Sequence, residues 1–260
     1  MGDNMQKKVA VITGASSGMG RLFAETLGEY GSFDEVWVLA RRRERLEELR
    51  LSFPTRALPL DLSKEESYKE YENLLHSENP DVALLINASG FGKFEATIDT
   101  PLSDNLNMVD LNCKAVAAMC QLTVPYMKSG AQIINIASVA AFQPVPYINV
   151  YSATKAFVLH YSRSLNRELK RLGIAVSAVC PFWTKTEFFD RAIKKDSDAV
   201  VKKYVAMYRP EQIVSRTWRD VKRGRDVIQF GFIARTQTLL AKILPHSFVM
   251  WFWQNQQKLK

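Results

Sequence analysis

At 260 residues, 47% hydrophobic and 24% charged, the chain has the make-up of an ordinary globular protein, which excludes a disordered or fibrous polymer. Its net charge of +8 comes from one end: residues 1–190 carry 20 basic and 22 acidic side chains, whereas residues 191–260 carry 15 and 5. That asymmetry fits a solvated basic rim or a surface facing anions, and with no DNA- or RNA-binding motif beside it, nucleic acid is not an expected partner.

Apolar runs and helical patterns alternate from the start. Val9–Thr13 is a short β-rich run, followed by glycines and a helix with apolar Leu22, Phe23, Leu27 and Tyr30. Val36–Leu39 reads as a second strand and residues 43–51 as a second helix. Ala57–Leu60 reads as a third strand, with Pro59 at its end. Ser63-Lys64-Glu65-Glu66 has the form of a capping box and predicts a helix to about Ser77. Val82–Ile86 and Ile133–Ile136, the second carrying a single polar residue at Asn135, read as apolar strands on either side of a long helical region from about Ser103 to Met127. A helix over Tyr151–Leu172, closed by Gly173, precedes a sixth strand at Ile174–Val179. Strands without polar alternation are buried on both faces. The pattern therefore predicts one doubly wound α/β domain over residues 1–260, a parallel sheet flanked by helices on both sides.

Cys113, Cys120 and Cys180 sit in apolar segments without zinc spacing. They read as core thiols of a reducing compartment, and no metal site is expected. The first six residues contain no apolar signal region, and Gln6 stands where a myristoylation motif needs Ser or Thr. The expectation is a cytoplasmic protein.

Thr13-Gly14-Ala15-Ser16-Ser17-Gly18-Met19-Gly20 lies between the first strand and the first helix. A doubly wound sheet binds a dinucleotide pyrophosphate at that position. Glycines let the backbone approach the phosphates, and the helix N-terminus supplies N–H donors and a positive dipole. The second strand ends in Ala40-Arg41-Arg42-Arg43, without the Asp or Glu that would accept hydrogen bonds from a ribose 2′-hydroxyl. An arginine can clamp a 2′-phosphate instead. NADP(H) is the expected cofactor, with Arg41 as leading contact and Arg42 or Arg43 assisting.

Tyr151 and Lys155 are four residues apart on one predicted helix, and Ser138 lies thirteen residues upstream of Tyr151 at a strand end. A spacing of four places phenol and ammonium on the same helix face. A nearby cation lowers the phenol pKa from its usual value of about 10, which would make Tyr151 a general acid/base.

Together these motifs resemble those of the short-chain dehydrogenase/reductase family over about residues 7–190. Thr13–Gly20 matches its cofactor loop and Asp61 its adenine contact. Asn87-Ala88-Ser89-Gly90 stands where the family has Asn-Asn-Ala-Gly, and Asn112, Ser138, Tyr151 and Lys155 match its catalytic tetrad. The resemblance implies a Rossmann-type fold and a pairing of helices into a homodimer or homotetramer. It also implies cofactor contacts from Gly14, Ser16, Ser17, Gly18, Met19, Gly20, Arg41, Arg42, Asp61, Leu62, Asn87, Ala88, Ser89, Gly90, Tyr151, Lys155, Pro181, Thr184 and Thr186. In the implied reaction the cofactor delivers hydride to a carbonyl carbon and Ser138 orients the carbonyl oxygen. Tyr151 donates the proton, Lys155 lowers the Tyr151 pKa and holds the nicotinamide ribose, and Asn112 holds a water that relays protons. Two departures concern geometry: Ala88 replaces the usual second Asn, and Phe182 follows Pro181 where glycine is usual, so Phe182 must turn away from the nicotinamide or form the pocket wall.

Residues 184–208 fall where the family has its substrate lid, and Phe188, Phe189, Tyr204, Met207 and Tyr208 give that stretch an apolar lining. Residues 227–260 are apolar and basic, like the tails of relatives acting on steroids and long acyl chains. This tail could cover the pocket, pack in a dimer, or lie on a membrane surface. The expected substrate is a small hydrophobic carbonyl or alcohol of steroid, bile acid or long acyl type. The alternatives are a 3-oxoacyl thioester and a catalytically silent NADP-binding regulator.

Overall fold

The central apolar runs pair side by side because they are buried on both faces, whereas the edge run at Thr55–Leu58 stays partly exposed. The computed structural model describes residues 6–193 and 200–259; residues 1–5, on which the expectation for the N-terminus rests, and 194–199 of the expected lid lie outside them. Strands β1 (Lys8–Thr13), β2 (Glu35–Leu39), β3 (Thr55–Leu58), β4 (Asp81–Asn87), β5 (Gln132–Ile136), β6 (Ala175–Val179) and β7 (Val227–Ile228) form one sheet in the order β3-β2-β1-β4-β5-β6-β7. All pairings are parallel. This is the predicted doubly wound fold in a single domain.

Helices α1 (Gly18–Glu25), α2 (Arg43–Glu47) and α8 (Pro210–Val221) cover one face of the sheet through Phe23, Leu46 and Trp218. Helices α3 (Glu65–Glu78), α5 (Ala115–Thr123) and α6 (Asn149–Leu169) cover the other through Tyr71, Met119 and Val158. Between them along the chain run α4 (Leu102–Val109) and α7 (Phe188–Ala192), and α9 (Phe232–Ile243) and α10 (His246–Gln257) follow β7. The direction of winding reverses between β1 and β4. The loops leaving their carboxyl ends open a crevice there, the usual ligand position in such sheets.

Several local expectations are corrected. The third strand is Thr55–Leu58, ending before Pro59, and α2 stops at Glu47 rather than residue 51. The capping box does not form: Lys64 occupies the N-cap, and the backbone N–H and hydroxyl of Ser63 both donate to Asp61 Oδ1 (3.1 and 2.8 Å). An acidic side chain two residues upstream outcompetes the helix for that serine. The long helical region is broken by a π turn at Asp110–Lys114, a feature that commonly marks a functional position.

Candidate active site

The glycine-rich loop takes its shape from two requirements. Gly14 has φ +70°, a conformation open to glycine at little cost, and this turns the chain so that its N–H donates to Leu39 O (2.8 Å). Thr13 Oγ1 then accepts from the backbone N–H of Ala88 and of Ser89 (3.0 and 3.1 Å), tying the end of β1 to the loop after β4. Ser17 leads into α1 without a side-chain cap, so the first N–H groups of that helix are left to a ligand. The resulting groove has a volume of about 490 Å³. It is lined by Gly14, Ser16, Ser17, Gly18, Met19, Gly20, Arg41, Arg42, Asp61, Leu62, Ala88, Ser89, Gly90 and Thr186, fourteen of the expected cofactor residues.

Asn87 is not among them. Its side chain turns into the layer beneath, where Nδ2 donates to Asn135 Oδ1 (2.9 Å) and Cys120 Sγ (3.4 Å). At the groove mouth, Arg41 makes no hydrogen bond or ion pair with the described residues. Arg42 donates to Ser16 Oγ (3.2 Å) and lies 3.5 Å from Glu187, which also receives Arg45 at 2.9 Å. Arg45, followed by Arg42, holds the Glu187 carboxyl below the usual carboxylate range. Glu187 thus reaches across the groove from the loop after β6, a contact between segments 142 residues apart that local sequence does not signal.

Ser138, Tyr151 and Lys155 line a second cavity of about 590 Å³, together with Pro181 and Thr184. The two cavities share Met19, Ala88, Gly90, Thr186 and Phe188, so one opens into the other. Ser138 Oγ accepts from Ala140 N–H (3.1 Å) and fixes the turn after β5. Lys155 is buried; its ammonium donates to Ile136 O (2.7 Å) and stands 5.7 Å from the Tyr151 ring centre. The expected lowering of the Tyr151 pKa is overturned. Burial pushes it up to about 12, with the Ser138 hydroxyl acting in the opposite direction. Burial also pushes Lys155 down to about 8. Desolvation exceeds pair attraction because the ammonium is satisfied by a carbonyl instead of the phenol.

Asn112 sits in the π turn, fully buried. Oδ1 accepts from Phe91 N–H (3.1 Å), while Nδ2 donates to Phe91 O (2.9 Å) and Thr154 Oγ1 (3.0 Å). Its amide is committed to these protein partners. It anchors the Gly90–Phe91 wall where the cavities meet.

The 590 Å³ cavity is aromatic. Phe94 contacts the rings of Tyr151, Trp183 and Phe188 at 5.8–5.9 Å between centroids, and Trp183 stacks on Trp253 of α10 at 6.3 Å. Phe182 forms part of the wall, one of the two positions expected for it. Of the expected lid residues, Phe188 and Phe189 line the cavity and Tyr204 packs on Trp183. Met207 is exposed and Tyr208 packs against Phe230 instead. Phe94, Trp183 and Trp253 belong to no sequence motif that would mark them as site residues. Helix α10 closes the site: Trp253 Nε1 donates to Pro146 O (3.1 Å). Buried Gln257 accepts from the N–H groups of Lys202 and Lys203 and donates to Lys203 O (2.9 Å).

The family model for short chain dehydrogenase matches residues 8–197. The chain belongs to the short-chain dehydrogenase family. Among its relatives, very-long-chain 3-oxoacyl-CoA reductase-B of Danio rerio is 32% identical over 192 residues, 69% of this chain and 60% of that protein. A short-chain dehydrogenase from Sphingobium yanoikuyae, solved in complex with NADPH, superimposes with a TM-score of 0.76 at 28% identity, covering 91% of this chain and 93% of that one. The bulky-bulky ketone specific alcohol dehydrogenase from Comamonas testosteroni does so with a TM-score of 0.72 at 25% identity, covering 91% of each chain. The dehydrogenase family match ends at residue 197, so α9 and α10, which complete the aromatic cavity, lie beyond it.

Proposed function

We propose that this dehydrogenase is an NADP(H)-dependent reductase of a ketone carried on a bulky apolar substrate. The carrying observation is that Ser138 and Tyr151 face an aromatic cavity of about 590 Å³ that opens into the glycine-loop groove. The groove fits the cofactor: its loop leaves helix N–H groups for a pyrophosphate, and Arg41 has a free guanidinium beside β2 for a 2′-phosphate. Gly14, Ser16, Ser17, Gly18, Met19, Gly20, Arg41, Arg42, Asp61, Leu62, Ala88, Ser89 and Gly90 would hold the dinucleotide. Tyr151, Lys155, Pro181, Thr184 and Thr186 would hold its nicotinamide end. The cofactor, when bound, supplies a hydride to the carbonyl carbon.

The chain's own groups do the rest. Ser138 orients the carbonyl oxygen. Tyr151, whose raised pKa keeps it protonated at neutral pH, gives its proton to that oxygen as the alkoxide develops. The buried Lys155 charge then stabilises the phenolate. Phe94, Trp183, Phe188 and Phe182 exclude water and select apolar substituents.

A second reading, a long-chain 3-oxoacyl thioester as substrate, is favoured by the Danio rerio relative and by the extension of the cavity along α9 and α10 to Phe232 and Phe252. A panel of steroid ketones, long 3-oxoacyl thioesters and short polar ketones, followed by loss of NADPH absorbance, tests the proposal. Turnover of a bulky apolar ketone with NADPH supports it. Preference for NADH at equal concentration, or for short polar ketones, overturns it.

A further inference from the structure

We propose that α9 and α10 form a docking surface for an anionic lipid bilayer. Helix α9 exposes Phe232 (81%), Leu239 (58%) and Ile243 (70%), and α10 exposes Phe248, Trp251 and Phe252. Large apolar side chains clustered in water on adjoining helices mark an interaction face. Among the described residues no helix is long and apolar enough to cross a membrane, so the geometry is that of helices lying in the interface plane.

Charge selects the occupant. Residues 227–260 contain no Asp or Glu, while Arg235 and Lys242 are exposed on α9, the first donating to Gln229 O and the second lying over the Phe142 ring, and Lys258 follows α10. Pairing two copies through this face would bring like charges together, whereas anionic headgroups supply the opposite sign. An exposed tryptophan beside phenylalanines suits the headgroup boundary. The face is anchored rather than loose, because Trp253 and Gln257 bind the protein body from the other side of α10.

The position also serves the site. Phe232, Leu240, Phe248 and Phe252 are exposed and also line the aromatic cavity, so an apolar substrate passes from lipid towards Tyr151 without crossing water. That last step rests on the proposed function; the docking does not.

The test is co-sedimentation of the full chain with phosphatidylcholine vesicles, alone and with about one-third phosphatidylglycerol. Expected is binding at least about tenfold tighter to the anionic vesicles, weakened by salt. The double variant Leu239→Glu/Ile243→Glu, whose positions lie outside the cavity lining, should lose that binding about tenfold. Its mass by light scattering and its turnover of a soluble ketone should stay unchanged. Equal binding to both vesicles, undiminished binding by a folded double variant, or a lower mass of that variant in solution overturns the proposal; the last result would make the face a protein interface. Vesicle binding by a chain that reduces no ketone would retain the docking and reject the proposed function.

Discussion

The Lys155 ammonium binds the carbonyl of Ile136 at 2.7 Å and lies 5.7 Å from the centre of the Tyr151 ring. Phenol and ammonium therefore share a cavity wall without sharing a proton, and Tyr151 is held as an acid. Tyr151→Phe should lower kcat for ketone reduction by about 10²–10⁴ while leaving the NADPH dissociation constant within about twofold. Steady-state kinetics and a cofactor fluorescence titration check this; a variant retaining most of its turnover would remove Tyr151 from the proton transfer.

The same pair predicts a pH dependence of stability. In the unfolded chain Lys155 keeps its proton up to its ordinary value of 10.5, but the folded chain releases it near pH 8. Between those values the unfolded state binds more protons, so the unfolding free energy contributed by this group rises with pH, by up to about 3 kcal/mol. Lys155→Met removes that rise. Across pH 7 to 10, below the window in which the raised Tyr151 pKa contributes a loss, the urea midpoint of the unaltered chain should climb relative to that of Lys155→Met. Parallel curves would refute the depressed lysine.

In the proposed NADP(H) complex, Glu187 would compete with the 2′-phosphate for the arginines at the groove mouth. Its pairs with Arg42 and Arg45 are exposed, and such pairs contribute about 0.2–1 kcal/mol. Glu187→Gln should lower the KM for NADPH by up to about fivefold and leave that for NADH unchanged. Arg41→Ala should raise the KM for NADPH by about tenfold or more. An equal effect on both cofactors in either variant would deny these residues a part in cofactor choice.

Gly90 lies where the two cavities join. A Cβ there would come within 2.9 Å of Asn112 Oδ1 and 3.5 Å of Lys155 Nζ, and the Asn112 amide is pinned by three hydrogen bonds. Gly90→Ala should cost about 1–3 kcal/mol of stability and lower kcat, read by thermal melting and turnover. A variant with unaltered melting and rate would mean that the wall yields freely.

The sheet and the reacting groups were legible because they depend on short-range patterns. Uninterrupted runs such as Val82–Ile86 announce strands buried on both faces, and the four-residue step from Tyr151 to Lys155 places both on one helix face. What stayed hidden depends on contacts between distant segments. Nothing near Glu187 announces Arg45, and nothing near Phe94 announces Trp183. Asn87 matched its motif, yet its orientation is decided by Asn135 and Cys120 across the sheet. The sign of the Tyr151 shift failed for the same reason, since spacing gives proximity but not the depth of burial that outweighs it.

Gln257 uses one amide to hold the backbone of Lys202 and Lys203, 55 and 54 residues earlier. Substrate preference in this dehydrogenase is therefore not transferable by exchanging the segment after β6 alone. A chimera that grafts this entrance onto another scaffold must carry its terminal helix along, and the two would be expected to change together as one inherited cassette.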